Sequence, residues 1–248
     1  MLDISIVSYT NTIPFLYGIN SKFLHESLNL SLDYPSICAS KILNNQVDIG
    51  LVPVTVLNRS PKIKIVTDYC ISAKDEVWTV CLFSDVPIEE IKKIYLDYQS
   101  NTSVSLLKIL LKDYWKINPE LITANPGYES SIKAEVAGLV IGDRVFELEK
   151  KYFFKYDLSY FWHKMTGLPF VFAVWASNTD ISKDAMIDFN ASLKYGVENI
   201  NQAIDSQYKG DYDKLLISRY LNKKISYNLD DEKIKAMNLF LDKTQDSI

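Results

Sequence analysis

Three short polar segments each follow an apolar run, and their side chains could bind an anion. They are Ser8-Tyr9-Thr10-Asn11-Thr12, Ser100-Asn101-Thr102-Ser103 and Gly142-Asp143. The first two also open helical patterns, so backbone N–H groups at a helix N-terminus and nearby hydroxyl groups could hold a carboxylate or a phosphate. Alternatively, the asparagine and threonine side chains of these turns are only helix caps. The residue pattern alone leaves both readings open.

The sequence contains none of the common signatures that would favour another enzyme class. Gly-x-Gly-x-x-Gly, the phosphate-binding P-loop, the Gly-x-Ser-x-Gly nucleophile turn and the His-Glu-x-x-His zinc motif are absent. His25 and His163 lie far apart among apolar or charged residues, which favours structural roles. Asp48 could be a base, although a turn or cap role is commoner at such a position. Asp143, at the end of an apolar strand, is the better candidate for ligand contact, with pairing to Arg144 or capping as the alternative.

The composition is that of a globular protein and argues against several partners. Of 248 residues, 48% are hydrophobic, and the net charge is −4 with scattered charges, which argues against nucleic acid or an anionic membrane as partner. Cys38, Cys70 and Cys81 lack the spacing of a zinc site and are predicted to be reduced core residues. No signal-peptide or membrane-spanning pattern occurs, so we expect a cytoplasmic protein. We expect no metal, no cofactor and no obligate protein partner.

Short apolar runs alternate with amphipathic stretches, which predicts an α/β protein with parallel strands. The predicted strands are residues 4–7, 30–34, 47–52, 63–66, 77–83, 94–97, 136–141 and 170–176. The predicted helices follow residue 11 and cover about 36–44, 104–114, 183–207, 211–222 and 230–243.

Two of the predicted strands, 77–83 and 170–176, are long enough to cross between lobes. This pattern predicts a two-lobed protein with a two-strand hinge, in which residues 1–84 and 174–248 form one lobe and 85–173 the other. The C-terminal helices would then pack on the first lobe. We expect the ligand cleft between the lobes, at the carboxyl ends of strands.

Five segments carry a resemblance to one known family. They are Val7-Ser8-Tyr9-Thr10-Asn11-Thr12-Ile13-Pro14-Phe15, Asp48-Ile49-Gly50-Leu51-Val52-Pro53, Ser100-Asn101-Thr102-Ser103-Val104-Ser105-Leu106-Leu107, Leu139-Val140-Ile141-Gly142-Asp143-Arg144 and Thr166-Gly167-Leu168-Pro169-Phe170-Val171-Phe172-Ala173-Val174-Trp175-Ala176. In this order they resemble the chorismate dehydratases of the futalosine route to menaquinone, the MqnA family. Val54 stands where that family often has a polar residue, and Cys70-Ile71-Ser72 stands where it usually has Ala-Ser. From about Ser182 onward no motif matches.

The resemblance implies a type II periplasmic-binding-protein fold used as an enzyme, and it implies a substrate. Chorismate would lose water to give 3-[(1-carboxyvinyl)oxy]benzoate. Its two carboxylates match the two anion-suited turns in opposite lobes. Ser8, Tyr9, Thr12, Asn101, Thr102, Ser103, Gly142 and Asp143 are then the expected substrate contacts.

The resemblance also suggests how the reaction runs, although the turns contain no obvious strong base. We hypothesise that Asn11 and Ser72 orient the substrate while its own enolpyruvyl carboxylate, or a bound water, takes the proton. The rival hypothesis makes Asp143 the base. Two other functions stay open: a non-catalytic binding protein for small anions, and a related enzyme of the same pathway that acts on a cyclised futalosine derivative.

Overall fold

The apolar runs form two separate mixed β-sheets in the computed structural model, which describes residues 2–20 and 28–245. The strands are β1 (Leu2–Val7), β2 (Leu28–Asp33), β3 (Ile49–Pro53), β4 (Lys64–Ala73), β5 (Val80–Ser84), β6 (Lys93–Leu96), β7 (Glu120–Thr123), β8 (Val136–Ile141), β9 (Phe154–Asp157), β10 (Phe170–Ser177) and β11 (Ser226–Asn228). The α-helices are α1 (Ile13–Ile19), α2 (Pro35–Leu43), α3 (Asn101–Ile109), α4 (Arg144–Leu148), α5 (Leu158–Thr166), α6 (Lys183–Glu198), α7 (Ile200–Gln207), α8 (Lys214–Lys223) and α9 (Asp231–Gln245). His25 lies outside the described residues.

The first sheet has the strand order β11-β4-β10-β3-β1-β2. Strand β1 is parallel to β2 and β3, whereas β10 runs antiparallel to β3 and β11 antiparallel to β4. Ile4 of β1 lies between Leu30 and Ile49 of its two neighbours and is 0% exposed. Every residue of β3 is buried, as expected for an apolar strand covered on both faces.

The second sheet has the strand order β7-β6-β8-β5-β9. Strand β6 is parallel to β7 and β8, and β5 runs antiparallel to β8 and β9. Cys81 and Val140 are cross-strand partners and are both 0% exposed. Together with Phe83 they form a core that Tyr128 completes.

The chain divides into two compact units, each of which contains one sheet. Unit 1 comprises Met1–Ser72 and Val171–Asp231, and unit 2 comprises Ala73–Phe170 and Glu232–Ile248. Nearly all of α9 therefore belongs to unit 2, where Phe240 packs edge-on against Phe170 with ring centroids 4.9 Å apart. The predicted lobes, 1–84 with 174–248 and 85–173, differ from these units in the placement of this helix and of β5. They stay a prediction.

The predicted α/β organisation is confirmed. Helices α4 and α5 were not predicted, the strand predicted at 63–66 extends to Ala73, and the helix predicted at 183–207 is divided into α6 and α7. The helix predicted from residue 104 begins at Asn101, because the Ser100 side chain caps it, and it ends in a π-helical turn, Leu110–Trp115. Strands β7, β9 and β11 were not predicted, since each has at most four residues and gives little periodic signal. None of the described helices is long and apolar enough to cross a membrane.

Candidate functional site

The turn that follows β1 is closed by its own polar groups. Residues Thr10–Thr12 form a 3-10 turn, and the Ser8 N–H donates to the Asp33 carbonyl at 2.9 Å. The Thr12 hydroxyl is buried and lies 2.7 Å from both the Val7 and the Tyr9 carbonyl oxygens. No side-chain hydrogen bond caps α1. The Thr12 side chain therefore holds the turn closed and is not a helix cap.

Asn11 differs from its neighbours because part of its amide is buried without a donor. The side-chain oxygen Oδ1 is covered, and no residue in 2–20 or 28–245 donates a hydrogen bond to it. A buried oxygen without a donor costs about 1–3 kcal/mol, so native proteins rarely keep one without a use. The Asn11 amide therefore offers a buried acceptor to a ligand hydroxyl group or to a water molecule. The reading of Asn11 as a helix cap is not supported, since its side chain accepts no helix N–H.

The helix that follows this turn is short but tightly held. Helix α1 has seven residues and carries Pro14 in its first turn, so its dipole adds little to anion binding. The Phe15 ring packs edge-on against Trp175 and Tyr227, with centroid distances of 5.7 and 5.3 Å. Gly18 of α1 faces Gly196 of α6 at a contact with no room for a side chain on either residue. These contacts fix the position of Asn11.

Ser72 lies at the end of β4 and is fully buried. Its hydroxyl donates to the Ser226 carbonyl of β11 at 2.6 Å, and Cys70 Sγ lies 3.5 Å from the same hydroxyl oxygen. The proton of the Ser72 hydroxyl is therefore engaged in a hydrogen bond between β4 and β11. A direct role of Ser72 in orienting the substrate stays a prediction, and the geometry assigns it a bond between strands.

In unit 2, the turn that follows β6 opens a helix. The N-cap of α3 is Ser100, whose hydroxyl accepts the Ser103 N–H at 3.3 Å. The alternative that Asn101 or Thr102 caps the helix is therefore wrong. Thr102 and Ser103 are buried, whereas Asn101 is exposed in the first turn of α3. This turn contains no acidic side chain, so the helix N-terminus keeps its preference for an anion.

The third predicted segment connects β8 to α4. Gly142 has a φ of +70°, a value that favours glycine, and its N–H donates to the Thr79 carbonyl at 2.9 Å. Asp143 is half-buried at the start of α4 and does not cap that helix with its side chain. The Arg144 guanidinium bridges Asp97 and Glu129.

The Asp97 network joins the ends of β6 and β8 and was not predicted. Its carboxylate accepts the Gln99 N–H at 2.8 Å and the Tyr128 hydroxyl at 2.9 Å, and it pairs with Arg144. Burial raises the pKa of Asp97, and the attraction of Arg144 only partly opposes this. Because the carboxylate is covered and engaged by these donors, Asp97 supports the adjoining turns. No local signal marks it, since its partners come from distant parts of the chain.

A second buried carboxylate, Asp157, was also missed. It accepts backbone N–H groups of Val77 and Trp78 at 3.0 and 2.7 Å, and those of Ser159 and Tyr160 at 3.0 and 3.2 Å. Trp78 has a φ of +67°, which is uncommon for a residue other than glycine. Burial raises the pKa of Asp157 to about 6, opposed by these hydrogen bonds. Asp157 therefore holds a strained backbone segment in place.

Residues 2–246 match the sequence model of a family described as menaquinone biosynthesis. The chain belongs to this menaquinone biosynthesis family. A chorismate dehydratase of Thermus thermophilus is 31% identical over 156 residues, which cover 54% of this chain and 56% of that protein. The match thus spans only about half the length of this curated relative.

The chain is similar in fold to several solved structures. A protein of Archaeoglobus fulgidus has a TM-score of 0.77 at 13% identity and covers 99% of this chain and 97% of its own. A Candida albicans gene product, described as having the generic periplasmic binding protein fold, has a TM-score of 0.66 at 12% identity, with 99% and 90% covered. The periplasmic aliphatic sulphonate binding protein of Escherichia coli has a TM-score of 0.62 at 11% identity, with 99% and 92% covered. The predicted periplasmic-binding-protein fold is confirmed.

Proposed function

We propose that this protein is a chorismate dehydratase, a hydro-lyase of menaquinone biosynthesis that converts chorismate to 3-[(1-carboxyvinyl)oxy]benzoate and water. Membership of the menaquinone biosynthesis family and the similarity to the Thermus thermophilus chorismate dehydratase support this proposal. The structural observation that carries it is the buried, unpartnered amide oxygen of Asn11, within the first segment of the family resemblance.

The reaction makes modest demands on a protein. It removes the ring proton beside the enolpyruvyl ether and expels the neighbouring hydroxyl group, and the ring becomes aromatic. The carbon that loses this proton is connected through a ring double bond to the ring carboxylate, so negative charge formed at that carbon spreads onto the carboxylate. Hydrogen-bond donors placed on that carboxylate would therefore stabilise the enolate-like intermediate.

We assign Asn11 to the orientation of the substrate. An amide oxygen accepts hydrogen bonds, so Asn11 Oδ1 suits the hydroxyl group that leaves, or a water molecule held beside the reacting carbon. The proton acceptor in this proposal is the enolpyruvyl carboxylate of the substrate or that water. The buried carboxylates Asp97 and Asp157 make poor bases, because backbone N–H groups and, at Asp97, Arg144 already occupy their oxygens.

We propose that the N-terminus of α3 binds a carboxylate of chorismate. Asn101 is exposed there, the first turn has no acidic side chain, and the helix is nine residues long. Ser8 and Tyr9 are proposed contacts at the start of the β1 turn. Gly142 and Asp143 remain proposed contacts on the evidence of the resemblance.

Turnover of chorismate by the purified protein tests the proposal. Mass spectrometry should detect a product lighter than chorismate by one water. Replacing Asn11→Ala should lower kcat by about 100-fold with little change in KM, since the amide orients the reacting groups. Under the rival hypothesis, Asp143→Asn would abolish turnover, whereas substrate-assisted proton transfer leaves most of it.

Four outcomes would contradict parts of this proposal. Full turnover in Asn11→Ala would exclude the orienting role. Complete loss in a folded Asp143→Asn variant would make Asp143 the base. Binding of chorismate without any turnover would favour the small-anion binding protein, and turnover of a cyclised futalosine derivative alone would favour the related enzyme.

A further inference from the structure

The C-terminal strand β11, which lies outside the segments of the family resemblance, reaches the Asn11 turn. Tyr227 of β11 is 4% exposed, and its hydroxyl donates a hydrogen bond to the main-chain oxygen of Asn11 at 3.1 Å. Both residues belong to unit 1. This bond joins two parts of the chain that are far apart in sequence.

Tyr227 is itself held rigidly. Its ring packs edge-on against Phe15, with ring centroids 5.3 Å apart. On one side of it in the chain, the Ser226 carbonyl accepts the Ser72 hydroxyl at 2.6 Å. On the other side, the Leu229 N–H donates to the Asp68 carbonyl at 2.8 Å. The hydroxyl of Tyr227 therefore reaches Asn11 from a strand that is fixed at both ends.

We propose that Tyr227 is a positioning residue that sets the orientation of Asn11 for catalysis, a role that rests on the proposed function. The hydrogen bond restrains the backbone of residue 11, and the side-chain amide follows that backbone. Ser72 supports this role indirectly, because its hydrogen bond to Ser226 holds β11, and with it Tyr227, beside β4. The buried hydroxyl of Ser72 thereby acts on the site without touching the substrate.

The contacts predict an effect on turnover that exceeds the effect on stability. One neutral hydrogen bond adds only about 1 kcal/mol to folding. A displacement of a catalytic group by about 1 Å can lower a rate by about 100-fold. Removing only the hydroxyl leaves the packing of the ring on Phe15 in place. The Tyr227→Phe protein should therefore fold normally and react slowly.

The test compares Tyr227→Phe with wild type in chorismate turnover. We expect kcat to fall about tenfold, with KM changed by less than about twofold and a thermal midpoint within a few degrees of wild type. The matched control is Tyr114→Phe, which removes a hydroxyl from an exposed ring of unit 2 that packs against Trp115 and Phe161. This control should keep wild-type kcat.

A double substitution separates positioning from general structural support. In an Asn11→Ala background there is no amide to orient, so adding Tyr227→Phe should cause no further loss of kcat. If Tyr227→Phe lowers kcat by the same factor in the wild-type and Asn11→Ala proteins, the positioning role of Tyr227 is overturned. Wild-type kcat in Tyr227→Phe would also overturn it. If Tyr227→Phe does not fold, Ser72→Ala is measured instead, alone and in the Asn11→Ala background. Wild-type kcat in Ser72→Ala, or an equal loss of kcat in both backgrounds, would then overturn the role.

The wild-type measurement distinguishes this inference from the proposed function. Wild-type protein without chorismate turnover overturns both together. Wild-type turnover that is unaffected by Tyr227→Phe overturns the positioning role alone.

Discussion

Replacement of Gly196 by alanine should impair the site from a distance. A methyl group at this position would overlap the Pro14 carbonyl oxygen and lie 2.8 Å from its carbon and 3.0 Å from the Gly18 nitrogen. Carbon atoms in good contact are about 3.5–4.0 Å apart, so α1 and α6 would have to separate by roughly 1 Å. Because Pro14 lies three residues after Asn11, this movement displaces the Asn11 amide.

Two effects on stability oppose each other in Gly196→Ala. Alanine favours a helix over glycine by up to about 1 kcal/mol, whereas overpacking a close contact costs about 1–3 kcal/mol or more. The overlap is with backbone atoms, which cannot rotate away, so we expect a net loss of about 2 kcal/mol. The displaced amide should lower kcat by about 10-fold to 100-fold.

Urea unfolding and chorismate turnover, measured on the same preparations, test this expectation. The control is Lys194→Ala on α6, an exposed position whose contact with Glu198 is 3.8 Å long. Its effect should stay within about 0.5 kcal/mol, with normal kcat. A Gly196→Ala protein that is more stable than wild type and fully active would refute the close-contact argument.

Two further predictions concern the buried carboxylates of unit 2. Burial raises the pKa of Asp157 to about 6, against about 3.9 in an unfolded chain, so the folded protein binds this proton more tightly. The contribution of Asp157 to the free energy of unfolding should therefore fall by roughly 2–3 kcal/mol as the pH rises from about 4 to about 6, and urea unfolding of Asp157→Asn should lack this fall. Arg144→Met should lower the free energy of unfolding by about 3 kcal/mol, because it leaves the Asp97 carboxylate buried without its cation. Urea unfolding measures this loss as well.

A specific result would contradict each of these two predictions. Parallel pH curves for wild type and Asp157→Asn would contradict the raised pKa of Asp157. The control for Arg144→Met is Lys93→Met, which removes an exposed pair with Glu120 and should cost less than about 1 kcal/mol. Equal losses for the two substitutions would show that burial does not govern the Arg144 network.

The amino-acid sequence by itself determined the class of the fold and the family. Apolar β-branched runs such as Ile4 to Val7 predict strands because side-chain alternation and burial act within a few residues. The turn around Asn11 could be recognised from its own residue types. Its function as a cap or as a ligand contact could not be decided there, because the two readings use the same side chains.

Only the tertiary structure decided which of these polar groups is hydrogen-bonded within the protein and which is buried without a donor. The Ser72 hydroxyl is used by β11, whereas the Asn11 amide oxygen is buried without a donor among the described residues. The bonds of Tyr227 to Asn11 and of Arg144 to Asp97 join residues from distant parts of the chain. Such pairings form when folding brings distant segments together, and the residues around each partner in the sequence do not predict the pairing.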